Sequence, residues 1–425
     1  MKKLGKFGKG LVSITLAAAL GASLCACDFG AVNSIVDDAL SNANSILDDA
    51  LSDLDSILSE TSSEISSENS SSSENTSQEE ESSSFESSSE EDSSENNSFE
   101  SSSSESSGEE EQDTVSSLDV HFLHVGNKTS GDCTLIKSGN TEILIDAGST
   151  TGSIGTIVPY IKNYCTDGIL EYVIATHAHQ DHIAGFTNSS SQGKGIFESF
   201  ECKTIIDFPK TTVSTELYKE YVALRTSEVA LGAKHYTALE CWKNINGAQR
   251  SFEIADGITL NILYQKYYES STSEENNNSV CVLITQGENN YLFTGDLESS
   301  GEKSLATSNT LPKCKLFKAG HHGSNTSNTT ELLSVIQPEI VVANCCCGDK
   351  FNFPHQEFID NVAVYTDKVY IPSMVSGSSY VLLNGNIVVS STDGKTVSVH
   401  CSNNNTLFKD TKWFKDNRTL PNAWK

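Results

Sequence analysis

Apolar residues between 118 and 400 fall in short runs at strand spacing, broken by polar turns and a few helical stretches. DVHFLHV (119–125), CTLI (133–136) and EILID (142–146) read as strands, the last ending at the turn AGST. SIGTIVPYIKN (153–163) has helical spacing, and EYVIA (171–175) is again a strand. STELYKEYVALRTSEVALG (214–232) opens on a Ser/Thr cap and predicts a helix. Strands are expected at 251–254, 258–264, 279–285, 291–294 and 314–318. A helix at 330–336 leads into the apolar PEIVVAN, and another is expected at 357–364. The last strands are 369–371, 379–382, 386–390 and 396–400. Strand pairs in blocks separated by helices predict an α/β domain of two mixed sheets flanked by helices, not a doubly wound parallel sheet.

Before residue 118 the pattern changes. Four lysines precede an apolar run in MKKLGKFGKGLVSITLAAALGASLCAC, the layout of a secretory signal. Small residues before Cys27 resemble a bacterial lipobox, so residues 1–27 are expected to be a signal peptide and Cys27 the lipidation site. An ordinary signal peptide is the alternative. On the lipobox reading the protein is exported and lipid-anchored at the bacterial cell membrane, with its domain facing outside. Residues 28–58 hold repeats beginning at 34, 45 and 56 (SIVDDALSNAN, SILDDALSDLD, SILSETSSEIS). An eleven-residue period at about 3.67 residues per turn keeps Ile and Leu on one face of a helix. Either an amphipathic helix or a marginal helix within a stalk fits. Residues 59–117 are rich in Ser and Glu and too poor in apolar side chains to fold, which predicts a disordered linker.

Charge follows this division. The chain has 425 residues and a formal net charge of −29, from 57 acidic and 28 basic residues. Residues 28–117 hold 25 of the acids and no Lys or Arg, and residues 1–27 hold four lysines. Residues 118–425 therefore carry 32 acids and 24 bases, a net −8. The acidity describes the tether, and the domain lacks the basic footprint of a general nuclease. Ten of the twelve cysteines lie in the domain, none at C-x-x-C spacing, which argues against a zinc ribbon. Export permits disulfides, whereas free thiols would suit an anaerobic habitat.

The chemistry concentrates in THAHQDHIAG, residues 176–185, which an apolar strand delivers. His177 and His179 can aim two imidazoles at one ion, while Asp181 and His182 face a second as the chain turns. FTGDLES places Asp296 after another apolar run, and KAGHHGS places His321 and His322 after a third. Asp146, ending ILIDAG, can orient a ligand imidazole from behind.

HxHxDH with LIDAG before it and TGD and HHGS after it resembles the metallo-β-lactamase superfamily in its ComEC-like branch, named for a DNA-uptake competence protein. The similarity spans nearly all of 118–400 in order, through VHFLHVG…GDCTLI, NNNSVCVLI and a late Asn352…His355. It implies a metallo-β-lactamase-type αββα sandwich over 118–402; the C-terminal tail, 403–425, is modestly basic with two tryptophans and either docks back or touches an anionic polymer. The resemblance also implies two divalent metals, Zn or Mn. His177 and His179 would hold one, Asp181, His182 and His322 the other, with Asp296 bridging. Asn276 stands near a usual histidine position and would be a weak ligand. Two departures from the family fall near the expected substrate contacts: the glycine turn is lengthened by Lys128-Thr129-Ser130, and Gln356 follows His355.

Two such ions roughly 3.5–4 Å apart hold a bridging hydroxide and stabilise the charge of a phosphoryl transition state. The expected activity is thus an exported, membrane-tethered metal-dependent phosphodiesterase, with Asp181, His321 and His355 as catalytic candidates. Its partner would be a phosphodiester-containing small molecule or envelope polymer, nucleic acid being less favoured; the membrane would be met through the lipid anchor only. The alternatives are a lactone or amide hydrolase of the same fold, and a non-catalytic envelope-binding lipoprotein.

Overall fold

The computed structural model describes residues 115–425. The expected signal peptide, Cys27 lipidation site, repeats and nearly all of the linker lie outside the described residues.

The chain first lays down β1 (Leu118–Phe122), β2 (Asp132–Ser138) and β3 (Thr141–Gly148) as an antiparallel meander. Helix Ile154–Tyr164 then crosses to β4 (Ile169–Ile174), and β5 (Glu201–Asp207) and β6 (Lys234–Thr237) continue in parallel. A second sheet begins with β7 (Ser251–Ala255), β8 (Ile258–Leu263), β9 (Cys281–Gln286) and β10 (Asn289–Phe293), all antiparallel. It continues in parallel through β11 (Leu316–Lys318), β12 (Ile340–Val342) and, after the short β13 (Cys346–Cys347), β14 (Val369–Tyr370). Strands β15 (Ser373–Ser376) and β16 (Ser379–Leu382) join β13 in a small sheet. Last, β17 (Ile387–Ser391) and β18 (Ser398–Cys401) return to the edge of the first sheet beside β1. The orders are β18-β17-β1-β2-β3-β4-β5-β6 and β14-β12-β11-β10-β9-β8-β7.

Period-two alternation assigns the layers. Along β9, Val282 and Ile284 enter the core shared with the first sheet, while Cys281 and Leu283 enter a second core on the far face. On β10, Tyr291 and Phe293 go one way and Leu292 the other. Phe122 and Phe293, one from each sheet, stack at 6.4 Å between ring centres. Helices Ile154–Tyr164 and Glu216–Leu231 flank the first sheet, and Ser299–Ser308, Thr330–Ile336 and Gln356–Ala363 cover the second. The result is an αββα sandwich.

Residues beyond 402 are built into this architecture. Phe408, Trp413, Phe414 and Trp424 lie in the second core, and the Trp424 indole donates to Thr366 O at 2.8 Å. Arg418 donates to Pro354 O (2.8 Å) and Asn352 O (2.6 Å), tying the C-terminal segment to the loop before Gln356–Ala363. All ten domain cysteines are buried and free. Among the described residues no helix is long and apolar enough to cross a membrane.

Candidate metal centre

Parallel strands β3 and β4 of one sheet, and β10 and β11 of the other, aim their C-terminal ends at one edge of the sandwich. Beyond β4 the chain runs through Thr176 to His177, and His179 caps the one-turn helix Gln180–Ile183. That turn presents Asp181 and His182 together. Beyond β10, Gly295 takes φ +55°, and a Cβ there would lie 2.8 Å from both Thr176 Cβ and Ser279 Oγ. Only glycine lets the turn carrying Asp296 press against the β4 loop. Beyond β11, His321 and His322 take consecutive left-handed conformations, φ 49° and 55°. This costs backbone energy and directs both rings toward Asp296.

The side chains converge. His177 Nε2 and His179 Nδ1 are 3.0 Å apart. Asp296 Oδ2 lies 3.1 Å from His182 Nε2, 3.5 Å from His322 Nε2 and 3.8 Å from His321 Nε2. His322 Nε2 is also 3.4 Å from Asp181 Oδ2. His177, His182 and Asp296 form one set of potential ligands, and Asp181, His182 and His322 an overlapping second. His182 Nε2, His322 Nε2 and Asp296 Oδ1 are buried without a hydrogen-bond partner. Orphaned polar atoms of this kind are costly in a folded interior, and a cation among them removes the cost. The residues therefore fit a divalent metal, with imidazole and carboxylate donors suited to zinc or manganese.

Groups behind the ligands fix their orientation. Asp146, itself at φ 59°, lies 2.8 Å from His182 Nδ1 and accepts from Thr176 N (2.7 Å) and Thr176 Oγ1 (2.8 Å). His322 Nδ1 is 3.0 Å from Asn344 O and 3.2 Å from Asp132 Oδ1. With Nδ1 engaged, each ring turns Nε2 inward. Burial alone would lower the His182 pKa, yet Asp296 and Asp146 carry it well above the usual imidazole range; His322 rises similarly beside Asp296 and Asp132. Two imidazoles so placed in negative surroundings suit a cation by charge as well as by geometry. His177 goes the other way: burial, then the neighbouring His182, push it well down.

Asp132 and Lys318 carry no metal-ligand motif of their own, although both lie inside stretches that carry the family resemblance. Both are buried, and Lys318 Nζ lies 2.5 Å from Asp132 Oδ2, an ion pair by distance although neither oxygen receives a well-directed hydrogen bond. Asn276 donates from Nδ2 to Glu298 Oε1 at 3.1 Å and leaves a buried Oδ1 without a partner. The His355 Nδ1 accepts from Asn325 N (3.0 Å) and its Nε2 faces Phe351 O (3.1 Å). The lengthened glycine turn is tied down: Ser130 Oγ donates to Asp349 Oδ2 at 2.7 Å and Lys128 Nζ to Ser378 O at 3.0 Å.

Comparison with known proteins finds relatives among competence and recombination proteins. Recombination protein 2 of Haemophilus influenzae is 26% identical over 245 residues, covering 56% of this chain and 26% of that protein. ComE operon protein 3 of Bacillus subtilis is 25% identical over 242 residues, covering 51% and 27%. The chain thus spans about a quarter of the length of these curated relatives. Among solved structures, the metallo-β-lactamase fold protein YhfI from Bacillus subtilis aligns over 65% of this chain and 100% of its own, at a TM-score of 0.38 and 11% identity. Residues 126–342, slightly more than half of the chain, match the family model described as Anti-Pycsar protein Apyc1, and the chain belongs to that family.

Proposed function

We propose that this protein is a metal-dependent phosphodiesterase, exported and held at the outer face of the cell membrane through Cys27. The observation that carries the reading is the convergence of the buried, unpartnered Nε2 atoms of His182 and His322 on Asp296 Oδ2, at 3.1 and 3.5 Å. Divalent zinc or manganese held there would supply Lewis acidity, chemistry suited to phosphoesters.

The chain's own side chains do the rest. His177 and His179 hold one side of the centre, Asp181, His182 and His322 the other, and Asp296 lies between. Asp146 keeps the His182 ring in register. Thr326 Oγ1 sits 2.9 Å from His321 Nδ1; when it donates there, His321 Nε2–H is left to hydrogen-bond a phosphoryl oxygen. Residues 118–425 carry a net −8, which favours a compact phosphodiester or an envelope polymer over long nucleic acid.

The test is hydrolysis of bis-p-nitrophenyl phosphate by the full chain, before and after chelation and on restoring Zn²⁺ or Mn²⁺. Turnover should vanish with chelator, return with metal, and be absent in His179→Ala. A fully metal-loaded chain inert toward phosphoesters would move lactone or amide hydrolysis, or a purely binding role, ahead.

A further inference from the structure

Six residues beyond Asp296, Glu302 lies fully buried in helix Ser299–Ser308. Its two oxygens accept from consecutive backbone donors, Asn328 N and Thr329 N, each at 2.7 Å. Asn328 then closes the histidine loop. Its Oδ1 accepts from Gly320 N at 2.9 Å, and its Nδ2 donates to Gly320 O (2.9 Å) and Ser324 O (3.2 Å). One amide therefore grips both ends of the segment bearing His321 and His322, and one carboxylate holds that amide's backbone. The grip has something to resist, because His321, His322 and Asn328 all take left-handed backbone conformations, at φ 49°, 55° and 62°. The approach is close: a Cβ on Gly320 would come within 3.3 Å of Glu302 Oε1.

We propose that Glu302 is a positioning residue that sets His322 against Asp296, so that metal binding depends on a carboxylate touching neither metal nor substrate. This rests on the reading of the centre as a metal site. Two divergent N–H donors require two acceptor oxygens. Glutamine offers one, and its amide N–H₂ would face the other donor. Burial, reinforced by Glu331, pushes the Glu302 carboxyl up to about 7, against which the N–H donors of Thr329 and Asn328 pull it down. Its ionised form thus weakens the fold as pH rises from the ordinary carboxyl range through about 7, and that cost is complete above.

The experiment is a competition titration of Zn²⁺ into full-length wild type, Glu302→Gln and Asn328→Ala at pH 8, with thermal unfolding of each metal-free chain. Glu302→Gln is expected to weaken Zn²⁺ binding by about 10–100-fold, as loss of an orienting partner does, without lowering the metal-free melting temperature. Asn328→Ala should weaken binding comparably, and the double variant no more than either alone. Wild-type affinity in Glu302→Gln, or parallel loss of affinity and melting temperature, overturns the inference. If Glu302→Gln does not fold, wild-type affinity in Asn328→Ala overturns it. A wild-type chain that binds no Zn²⁺ instead sinks the metal-site reading and the inference with it.

Discussion

Lys318 Nζ lies 2.5 Å from Asp132 Oδ2, and both side chains are sealed from solvent beside His322. The lysine comes from β11 in the second sheet and the aspartate from β2 in the first, so the pair joins the sheets beneath the metal centre. Removing one partner leaves a buried charge alone. Lys318→Met is expected to lower unfolding stability by about 3–5 kcal/mol in chemical denaturation, while Lys318→Met with Asp132→Leu should lose less than the two single variants summed. Full additivity would mean the two charges do not interact.

Asp146 provides a separate lever on the centre, since it touches His182 Nδ1 and lies behind the ring. Asp146→Asn keeps the shape but replaces the charged acceptor. Metal affinity should fall by roughly 10–100-fold, as measured by competition with a chromophoric chelator. An unchanged affinity would show that Asp146 does not orient the ring.

His121 on β1 gives the fold a pH dependence of its own. Burial outweighs the pull of Asp119 and takes its pKa down to about 4, and Nε2 has no partner. The unfolded chain protonates this group near its ordinary value of 6.5, and the folded chain only near 4. Its contribution is therefore complete above 6.5 and is lost as pH falls from there toward 4. The span corresponds to about 3 kcal/mol. Urea unfolding at pH 8 and pH 4 should show this loss in wild type and its absence in His121→Gln.

Most of the sandwich is legible in the sequence because its strands alternate or run apolar between turn signals. The helix at 330–336 falls where spacing places it, and the ligands sit in short motifs that each follow an apolar strand. What escapes has physical reasons. ECKTIID (β5) and KHYT (β6) are short and carry charges on the strand, so neither reads as a buried run. SSGEKSLATS forms a helix with only Gly301, Glu302 and Leu305 buried, too narrow a stripe for periodicity to reveal. Asp132, Lys318 and Glu302 resemble surface charges in sequence, and only the meeting of distant strands and loops makes them interior. His355 fits a catalytic pattern by spacing, and in the fold its nitrogens face Asn325 N and Phe351 O.

The C-terminal segment is expected to be structural. Trp424 packs against Phe414 at 5.9 Å between ring centres and donates to Thr366 O. Trp424→Ala should cost about 3–5 kcal/mol by loss of a buried aromatic, read as a shift in the denaturation midpoint with the metal centre still able to bind.

The most direct measurement titrates Zn²⁺ or Mn²⁺ into the chelator-stripped full chain while following bis-p-nitrophenyl phosphate turnover. The account predicts that turnover rises from nothing and saturates near two metal equivalents per chain, with Asp296→Asn flat throughout. Turnover that survives complete stripping, or tight metal uptake that never brings turnover, would contradict it.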